Sequence, residues 1–524
     1  MTPDAWSPKH NPWLITVVVS LAAFIEVLDT SIANVALPYI AGSLAASNDE
    51  STWVLTSYLA ANAIVLPISG WLVSVFGRKR FFMTCIFLFT LSSLSCGMAP
   101  NHGLLLVFRV LQGAGGGGLQ PMVQAILADT FPPEKRGVAF ALYGITAVTA
   151  PIVGPTLGGW ITDNYTWRWI FLINVPVGLL TLGLVRWLLE DPPYLTRAKG
   201  GGIRLDYIGF ALLVLGVGAL QILLDKGQED DWLGSRFITT LVIVAGVSLA
   251  SLVIWEWFHK DPIIDLRLFA SLNFASANVM MLVLGIVLFS SIVIIPQFLQ
   301  SLMGYNAESA GLALSAGGFV LLVELPLVGR LAGRVQVRFL ITVGWALLAL
   351  ALAYSARRID LLIDFDSAAW LRIVQAVGLP LLFVPITLAA YVGLPAGKSN
   401  SAAGLINFMR NIGSSIGTSL VTTLIARRSQ FHQVHLVSRM ATDDPTFQAQ
   451  AGALAARLAE AGVGTYEAQR QAYAQLYATV QAQASALAYV DTYWFLALAA
   501  GLMFGLSLFL RKNDPRAGGQ IAAH

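Results

Sequence analysis

The sequence predicts an all-α membrane protein that consists of two related six-helix units and two additional helices, fourteen transmembrane helices in all. Three observations support this fold class. The 524 residues are 56% hydrophobic and only 12% charged, with a mean hydropathy of +0.70, whereas soluble globular proteins carry about 25% charged residues. Fourteen apolar segments follow one another along the chain, and short motifs recur at a fixed distance between its two halves.

Each apolar segment is long enough to cross a bilayer, which takes about 20 residues in a helix. We expect helices because backbone groups within lipid must find their hydrogen-bond partners inside the segment. The predicted helices 1 to 14 lie at residues 13–39, 52–73, 81–99, 103–128, 138–162, 168–189, 206–225, 236–257, 273–300, 308–332, 338–356, 368–391, 402–426 and 487–511.

The internal repeat relates the fourth helix to the twelfth. Its members lie 263 positions apart, and they are Arg109 and Arg372, Gln112 and Gln375, Pro132 and Pro395, Lys135 and Lys398, and Gly154 and Gly417. A single offset at several places indicates that the two halves descend from one unit. Internal duplication in an apolar chain is typical of secondary transporters.

The repeat predicts three parts of the chain. Residues 1–190 form an N-terminal six-helix bundle, residues 191–260 a linker with two inserted transmembrane helices, and residues 261–524 a C-terminal six-helix bundle. Lys and Arg concentrate in the predicted inner loops, as at residues 78–80 and 135–136, whereas the outer loops are acidic at 49–50 and 229–231. By the positive-inside rule both termini are cytoplasmic.

Residues 427–486 form a predicted extramembrane element between helices 13 and 14. Asp444 and Pro445 fit the N-cap and the first position of a helix, and Gly462 fits the residue that ends it. Thr465 fits the N-cap of a second helix. We therefore expect an ordered pair of helices. The pair serves either as a docking surface for a partner or as an extension of helix 14 that covers the pore mouth.

Ionisable residues inside the apolar segments are the first candidates for function, because they are costly in a bilayer. Asp29 lies roughly 14 Å below the outer end of helix 1, and Glu26 lies one turn deeper on the same face. Arg109, roughly 8 Å below the outer end of helix 4, is at a depth that permits an ion pair with Asp29. A carboxylate beside a movable cation can load and release a proton. A static ion pair between two helices is the alternative.

Two further charges lie in the second half. Glu324 is a lone carboxylate in helix 10, and it is either a proton or cation site or a residue at the inner mouth. Arg372 is the counterpart of Arg109 and either lines the pore or has a structural role. We take Asp29, Glu26 and Glu324 as candidates for proton coupling.

Glycine and proline are concentrated in helices 4 and 5. Residues 115–118 are four consecutive glycines, and helix 5 contains Gly154, Pro155, Gly158 and Gly159. Small residues permit close helix packing, and proline bends a helix. The pattern predicts a helix that slides or flexes at the interface between the halves, or else ordinary tight packing.

Several classes of function are not supported by the sequence. Residues 393–399 resemble a phosphate-binding loop but are one residue short between the glycines and follow no strand. We find no nucleotide-binding domain, zinc-protease motif, nucleophile elbow or metal-ligand cluster. We therefore expect no enzyme activity, no cofactor, no metal and no nucleic-acid partner, and transport that is passive or driven by an ion gradient.

At these motifs the chain resembles the major facilitator superfamily, and more narrowly the fourteen-helix drug:proton antiporters of the EmrB/QacA type, nearest to EmrB-like multidrug exporters. The resemblance extends over nearly the whole chain. The matching residues are 28–38 with Asp29 and Asn34, 70–79 with Gly70, Gly77 and Arg78, 109–113 with Arg109 and Gln112, 154–159 with Gly154, Pro155, Gly158 and Gly159, and 407–417 with Arg410, Gly413 and Gly417.

Two positions depart from the family pattern. Ser74 stands where the loop motif usually has Asp, so the usual gating ion pair is in doubt, and Ala150 replaces a Gly in the longer helix 5 motif.

The resemblance implies an exporter that works by alternating access in a bacterial inner membrane. It implies a cavity lined by helices 1, 4, 9 and 12, for which we take Asn34, Arg109, Gln112, Arg372 and Gln375 as cavity or gating residues. It also implies export of hydrophobic drugs in exchange for protons, together with a periplasmic membrane-fusion adaptor and an outer-membrane channel. Two alternatives stay open: a carrier of one metabolite, such as a fatty acid or siderophore, and a non-transporting membrane sensor or assembly platform.

Overall fold

The structure is a computed structural model that describes residues 8–192, 206–395, 397–438 and 445–510. Within these ranges the regular elements are α-helices and two 3-10 turns. The first half contains α1 (Pro12–Leu44), α2 (Asn48–Phe76), α3 (Arg78–Gly97), α4 (His102–Gly116), α5 (Leu119–Thr130), α6 (Pro133–Asn164), α7 (Trp169–Leu172) and α8 (Asn174–Leu188). Two further helices follow, α9 (Tyr207–Lys226) and α10 (Arg236–Phe258).

The second half also contains eight helices in a similar order, but α17 has no counterpart in the first half and the short α7 has none in the second. It contains α11 (Leu272–Leu302), α12 (Ala307–Ala332), α13 (Val337–Arg358), α14 (Phe365–Gly378), α15 (Pro380–Ala390), α16 (Ser399–Val437), α17 (Pro445–Glu460) and α18 (Thr465–Ser507). All fourteen predicted transmembrane segments coincide with helices. The all-α fold is therefore confirmed, whereas the three-part domain division stays a prediction.

Twelve helical segments in the described chain are long and apolar enough to cross a membrane by length and composition. The two remaining predicted spans have specific reasons to differ. The fourth span is interrupted between α4 and α5, and neither piece is long enough alone. The thirteenth span, α16, carries Ser, Thr, Asn and Arg side chains that lower its hydropathy.

The fourth and twelfth spans break at equivalent positions. The break between α4 and α5 lies at Gly117 and Gly118, and the break between α14 and α15 precedes Pro380. Gly117 and Pro380 are 263 residues apart, the offset of the sequence repeat. Gly117 and Gly118 keep right-handed backbone angles, but glycine has a low helix propensity, whereas proline lacks a donor for the preceding turn. Two different residues thus give the same shape in the two halves.

The glycine run in the fourth span also serves close packing. A Cβ at Gly115 would lie 2.6 Å from the Phe89 backbone nitrogen of α3, and one at Gly117 would lie 2.6 Å from the Asn62 carbonyl of α2. Both distances are too short for any side chain. The glycines therefore bring α2 and α3 into contact with the broken span from two sides.

One end of the bundle, which we call the proximal face, is where α1 begins and α18 ends; the opposite end is the distal face. Helices α16 and α18 contain 39 and 43 residues, roughly 58 and 65 Å, and so exceed a hydrocarbon core of about 30 Å. They extend past the distal face and pair there. Arg428 and His432 of α16 contact Asp491 of α18 at 2.6 and 2.7 Å.

The two ordered helices predicted between helices 13 and 14 are present, and their position outside the membrane stays a prediction. Helix α17 begins at Pro445 and ends at Glu460, and Gly462 turns the chain with a φ of +93° before α18 begins at Thr465. Asp444, the predicted cap, lies outside the described residues. Helix α18 then continues without a break into the last span, as the predicted extension of helix 14 requires.

Contacts between the two halves concentrate towards the proximal face. A Cβ at Gly70 of α2 would lie 2.6 Å from Ser401 Cα of α16, and one at Gly137 of α6 would lie 2.3 Å from the Gly329 carbonyl of α12. Such approaches leave no space for a passage between these helices. The structure is thus closed at its proximal face.

The inserted helices stand against the boundary of the two halves. Asp225 of α9 accepts a hydrogen bond from Thr56 of α2, and Gln221 of α9 donates to Ser415 of α16 at 2.9 Å. Helix α9 therefore contacts one helix from each half.

Candidate functional site

A buried ion pair between α1 and α4 forms the centre of the first half. Arg109 Nη1 donates to Asp29 Oδ2 at 2.6 Å, and the two side chains are 0% and 1% exposed. The structure therefore brings together the two charges whose depths predicted a pair. Since so little water reaches them, each charge depends on the other and on neighbouring dipoles for solvation.

Neutral amides complete the surroundings of Asp29. Gln112 and Asn174 donate to Asp29 Oδ1 at 2.9 and 2.7 Å, and both amides also donate to the Ser93 hydroxyl at 3.1 and 3.0 Å. Gln112 also accepts from Arg109 at 2.8 Å. The Asp29 carboxylate thus receives three hydrogen bonds, all from its own half.

Arg109 is fixed by aromatic rings and by a backbone carbonyl. Its guanidinium carbon lies 4.3 Å from the centre of the Tyr58 ring and 5.4 Å from that of Phe171, and its Nε donates to the Val54 carbonyl at 2.9 Å. These contacts restrict the Arg109 guanidinium to a narrow range of positions.

The second half contains the equivalent cluster without a carboxylate. Arg372 Nη1 donates to Ser291 Oγ at 2.9 Å and to Gln375 Oε1 at 3.4 Å, and Gln375 Nε2 donates to Ser355 Oγ at 2.9 Å. Ser291 contacts the Arg372 guanidinium as Asp29 contacts that of Arg109. Arg372 is 3% exposed, and among the described residues it forms no ion pair and its Nε has no hydrogen-bond partner.

Glu26 lies outside the Asp29 cluster although it shares the same helix face. Its Oε1 accepts from Asn62 at 3.1 Å and from Tyr58 at 3.4 Å, and its Oε2 accepts from Gln120 at 2.5 Å. Gln120 Oε1 in turn accepts from Arg410 of α16. Sequence reasoning named Glu26 and Arg410 separately but missed Gln120, the residue that joins them.

The remaining predicted polar residues do not join these clusters. Glu324 of α12 is partly exposed and forms no hydrogen bond or ion pair with a described residue. Asn34 is exposed, five residues beyond Asp29 on α1. The predicted cavity roles of Asn34, Arg109, Gln112, Arg372 and Gln375 stay predictions.

The proximal face has an ion pair that the sequence did not predict. Arg78 donates to Asp129 Oδ2 at 2.5 Å and to Asn400 Oδ1 of the other half at 3.2 Å, and Asp129 Oδ1 accepts from Ser399 at 2.9 Å. Ser74 is bonded only locally, to the Trp71 carbonyl at 2.7 Å. Asp129 therefore supplies a carboxylate for Arg78 although position 74 has none. Gly77, between α2 and α3, has a φ of +83° that disfavours other residues.

Helix α6, the predicted helix 5, lies against α12 of the other half, but the glycines of its motif face elsewhere and fit the alternative of tight packing. Gly154 and Gly158 of α6 face Ser31 and Ile32 of α1, within the first half, and a methyl group added at Gly159 would have no neighbour within 4 Å. Pro155 is exposed. The glycines of α6 that do face the other half are Gly137 and Gly144, nearer the proximal face.

The same packing recurs in the second half. Gly413 and Gly417 of α16 face the Leu282 and Ile286 carbonyls of α11, at 2.2 and 2.5 Å from an added Cβ. Gly154 and Gly417 are therefore equivalent in structure as well as in sequence. The glycines thus permit close packing of α1 on α6 and a direct backbone approach of α11 to α16.

The site offers acid–base and ion-pair chemistry. Within the described residues no group of three or more His, Cys, Asp or Glu side chains is placed to hold a metal ion. The first half has two buried carboxylates, Asp29 and Glu26, and the second half has one buried cation, Arg372, without a counter-ion among the residues that the structure describes. Such an arrangement can bind protons in one half and anionic groups in the other.

Comparison with known proteins agrees with this architecture. The family model of the Major Facilitator Superfamily matches residues 19–418. The chain is 36% identical over 511 residues to the multidrug export protein EmrB of Escherichia coli K12, covering 98% of both chains. It is 37% identical over 453 residues to the fatty acid resistance protein FarB of Neisseria gonorrhoeae, covering 86% and 87%.

A solved structure supports the fold. The proton:xylose symporter XylE superposes with a TM-score of 0.62 at 12% identity, covering 97% of this chain and 98% of XylE. At this identity the similarity concerns the fold alone. The sequence matches go further, because they extend over almost the entire length. The chain therefore belongs to the Major Facilitator Superfamily, to the EmrB-like multidrug export proteins, which are membrane transporters and not enzymes.

Proposed function

We propose that this protein exports hydrophobic toxic compounds across a bacterial inner membrane in exchange for protons. The observation that carries the proposal is the 36% identity to EmrB over 98% of both chains. The buried pair of Asp29 and Arg109 supports proton coupling, because a carboxylate enclosed by a cation and two amides changes its contacts when it binds a proton.

The proximal face corresponds to the cytoplasmic side in this proposal, with both termini cytoplasmic. Arg78, Lys79 and Arg80 lie at that face, and the acidic start of α2, with Glu50 in its first turn, lies at the other. The positive-inside rule favours this orientation. The structure then corresponds to a transporter closed towards the cytoplasm.

The proton gradient supplies enough free energy for such export. One proton gains about 1.4 kcal/mol per pH unit and about 2.3 kcal/mol per 100 mV. Together these support roughly a few hundredfold accumulation of a neutral substrate for each proton exchanged. We propose that protons entering from outside bind the α1 carboxylates and favour opening to the cytoplasm, where the substrate replaces them. Glu324 is the alternative proton site.

Transport by purified protein in liposomes tests the proposal. We expect a panel of unrelated hydrophobic drugs to be moved against their gradient when a pH gradient is imposed, and movement to stop when an uncoupler collapses it. Arg109→Ala should insert normally but transport little, since it leaves Asp29 buried and unpaired. Failure of every compound to move would contradict drug export and favour a sensor or assembly platform.

A specific observation favours fatty acids as a second substrate class. FarB, the fatty acid resistance protein, is 37% identical to this chain, and Arg372 is a buried cation with no counter-ion among the described residues. A fatty acid carboxylate would complement it. Fatty acids therefore belong in the transport panel: movement of fatty acids alone would establish the narrower carrier.

We further propose that the parts of α16 and α18 that extend past the distal face dock a membrane-fusion adaptor connected to an outer-membrane channel. These parts expose apolar side chains, with Phe431, Val434 and Tyr477 exposed to 45%, 67% and 50%. Changing these three to Ser should abolish adaptor capture and leave transport in liposomes intact. Unchanged capture would mean that the adaptor binds elsewhere.

A further inference from the structure

The most informative polar contact between the two halves lies at mid-depth rather than at either face. Gln120 of α5 donates from Nε2 to Glu26 Oε2 of α1 and accepts at Oε1 from Arg410 of α16. Glu26 and Arg410 are roughly 21 and 17 Å along their helices from the proximal ends. One neutral amide thus lies between a carboxylate of the first half and a guanidinium of the second.

The orientation of the Gln120 amide depends on the charge of Glu26. An ionised carboxylate only accepts hydrogen bonds, so it requires the NH₂ group of Gln120, and the amide oxygen is then left for Arg410. A protonated Glu26 can donate from its hydroxyl, and it is best met by the amide oxygen. Arg410 would then face the NH₂ group of Gln120, and two hydrogen-bond donors would oppose each other.

We propose that Glu26 carries the proton that changes access, and that Gln120 transmits its protonation to Arg410 by reversing its amide. The proton adds to Glu26 Oε2, the amide of Gln120 turns by about half a rotation to accept it, and Arg410 loses its acceptor. The lost hydrogen bond to a charged donor releases α16 from α5. This proposal rests on the proposed proton-coupled export and assigns its trigger.

Asp29 lacks such a connection. Its three donors, Arg109, Gln112 and Asn174, belong to the first half, so a proton on Asp29 changes contacts within one half only. Glu26 reaches the second half twice, because its other amide donor, Asn62, accepts from Asn411 of α16 at 3.3 Å. Glu26 is therefore linked to two consecutive residues of α16, to Arg410 through Gln120 and to Asn411 through Asn62.

The charged and titratable groups around Glu26 come from four packed helices. They are Asp29 on α1 itself, Tyr58 on α2, Tyr143 on α6 and Arg410 on α16, with Arg109 of α4 behind the Tyr58 ring. Tyr143 donates to the Gln120 oxygen at 3.0 Å. Its hydroxyl can also accept, so it remains paired after the amide reverses. Glu26 is the carboxylate within this group that bonds directly to Gln120.

The direction of the change fits an exporter. The ionised form keeps the halves bonded and the proximal face closed, as in this structure. Protonation frees α16, which lines the proximal contact at Ser401 opposite Gly70. Proton entry from the distal side would therefore open the face at which substrate is collected.

Labelling of Ser401→Cys with a maleimide, without any substrate, tests the relay in the full-length protein in liposomes. The native Cys85 and Cys96 are buried and serve as the unreactive background. Maleimide reacts with the thiolate, whose fraction falls with pH, so each labelling rate is divided by that of a free cysteine at the same pH. We expect this corrected labelling rate to rise about tenfold as pH falls, the change that loss of one hydrogen bond to a charged group gives. Glu26→Gln should label fast at every pH, since its amide offers a permanent donor to Gln120.

Two variants on one helix separate the relay from a general weakening of the interface. Gln120→Leu removes the route to Arg410 and should reduce the pH dependence of labelling to what the second route through Asn62 carries. Gln124→Leu, one turn away, removes the hydrogen bonds to Asn407 of α16 and a 3.4 Å hydrogen bond to Tyr143. It leaves both routes from Glu26 intact, so labelling should keep its pH dependence. Should Glu26→Gln fail to fold, the pair at positions 120 and 124 decides the question alone.

Unaltered pH dependence in Gln120→Leu, or slow labelling of Glu26→Gln at high pH, would overturn the relay. Loss of pH dependence in both the 120 and the 124 variants would overturn it too. The assay contains no drug, so failure of drug transport with intact pH-dependent labelling would contradict the export proposal and leave the relay standing.

Discussion

The two halves place the same arginine and glutamine in their broken fourth helices but differ in what faces the guanidinium. In the first half Arg109 meets Asp29, and two amides and a serine complete the shell. In the second half Arg372 meets Ser291, and its Nε lacks a partner in the described part of the chain. The scaffold is thus duplicated, whereas the titratable chemistry at this position is present on one side only.

This difference indicates how a fold with two similar halves can bind a different kind of group in each half. A buried ion pair responds to a proton, whereas a buried cation without a counter-ion responds to an anion. In the proposed mechanism the two halves move against one another. The carboxylate that contacts Arg109 then assigns proton binding to the first half.

Removing the arginines should give the largest difference between the halves. Arg109→Met leaves Asp29 buried without a cation, and breaking such a pair costs about 3–5 kcal/mol. Arg372→Met replaces an unpaired charge by an apolar chain and should leave stability unchanged or higher. Thermal unfolding of both variants in detergent checks this, and equal losses would mean that Arg372 has a partner as strong as Asp29.

The equivalent glycines should give an intermediate effect. Gly417→Ala would place its Cβ 2.5 Å from the Ile286 carbonyl, a backbone atom that cannot turn away, and overpacking costs about 1–3 kcal/mol. Gly154→Ala meets Ser31 Oγ, which can rotate away, and Ser31 Cβ at 2.6 Å, which cannot. Because it meets no backbone atom within 3 Å, whereas Gly417→Ala does, its loss should be somewhat smaller.

Gly159→Ala is the matched control for these two variants. An added methyl there has no neighbour within 4 Å, and alanine favours a helix over glycine by about 1 kcal/mol. Unfolding temperatures should therefore follow the order 159, 154, 417 from highest to lowest. A Gly417→Ala variant as stable as Gly159→Ala would show that α11 and α16 are not in rigid contact.

Installing the missing carboxylate should give the smallest effect, with the opposite sign. Ser291→Asp gives Arg372 a partner at the position where Asp29 serves Arg109, so we expect stability to rise by about 1 kcal/mol, because the new pair must still be desolvated. Transport of fatty acids should fall in this variant while neutral drugs are unaffected. Faster fatty acid transport would contradict an anion site at Arg372.

Sequence reasoning predicted the helices and the Asp29–Arg109 pair because apolar length, intramembrane charge and the repeat are local signals. It missed Asn174, Ser93 and Gln120, because neutral polar residues occur in many membrane helices and only the assembled fold shows which of them converge. Asp129 was missed for a related reason: it lies at the end of α5, where a carboxylate has the character of an ordinary loop residue.

The glycines show a different limit of the sequence. The pattern in α6 predicts close packing and a helix at the interface between the halves, but it does not show that Gly154 faces α1 and that Gly137 faces α12. A helix surface has several faces, and the choice between them depends on how the bundles assemble.

Substrate-induced proton release in liposomes tests most directly whether the first half carries the coupled proton. We would compare the wild type with the double variant Glu26→Gln/Asp29→Asn and with Glu324→Gln, the candidate carboxylate of the second half. The account predicts that release disappears in the double variant and persists in Glu324→Gln. Release that persists in the double variant and disappears in Glu324→Gln would place proton coupling in the second half and contradict it.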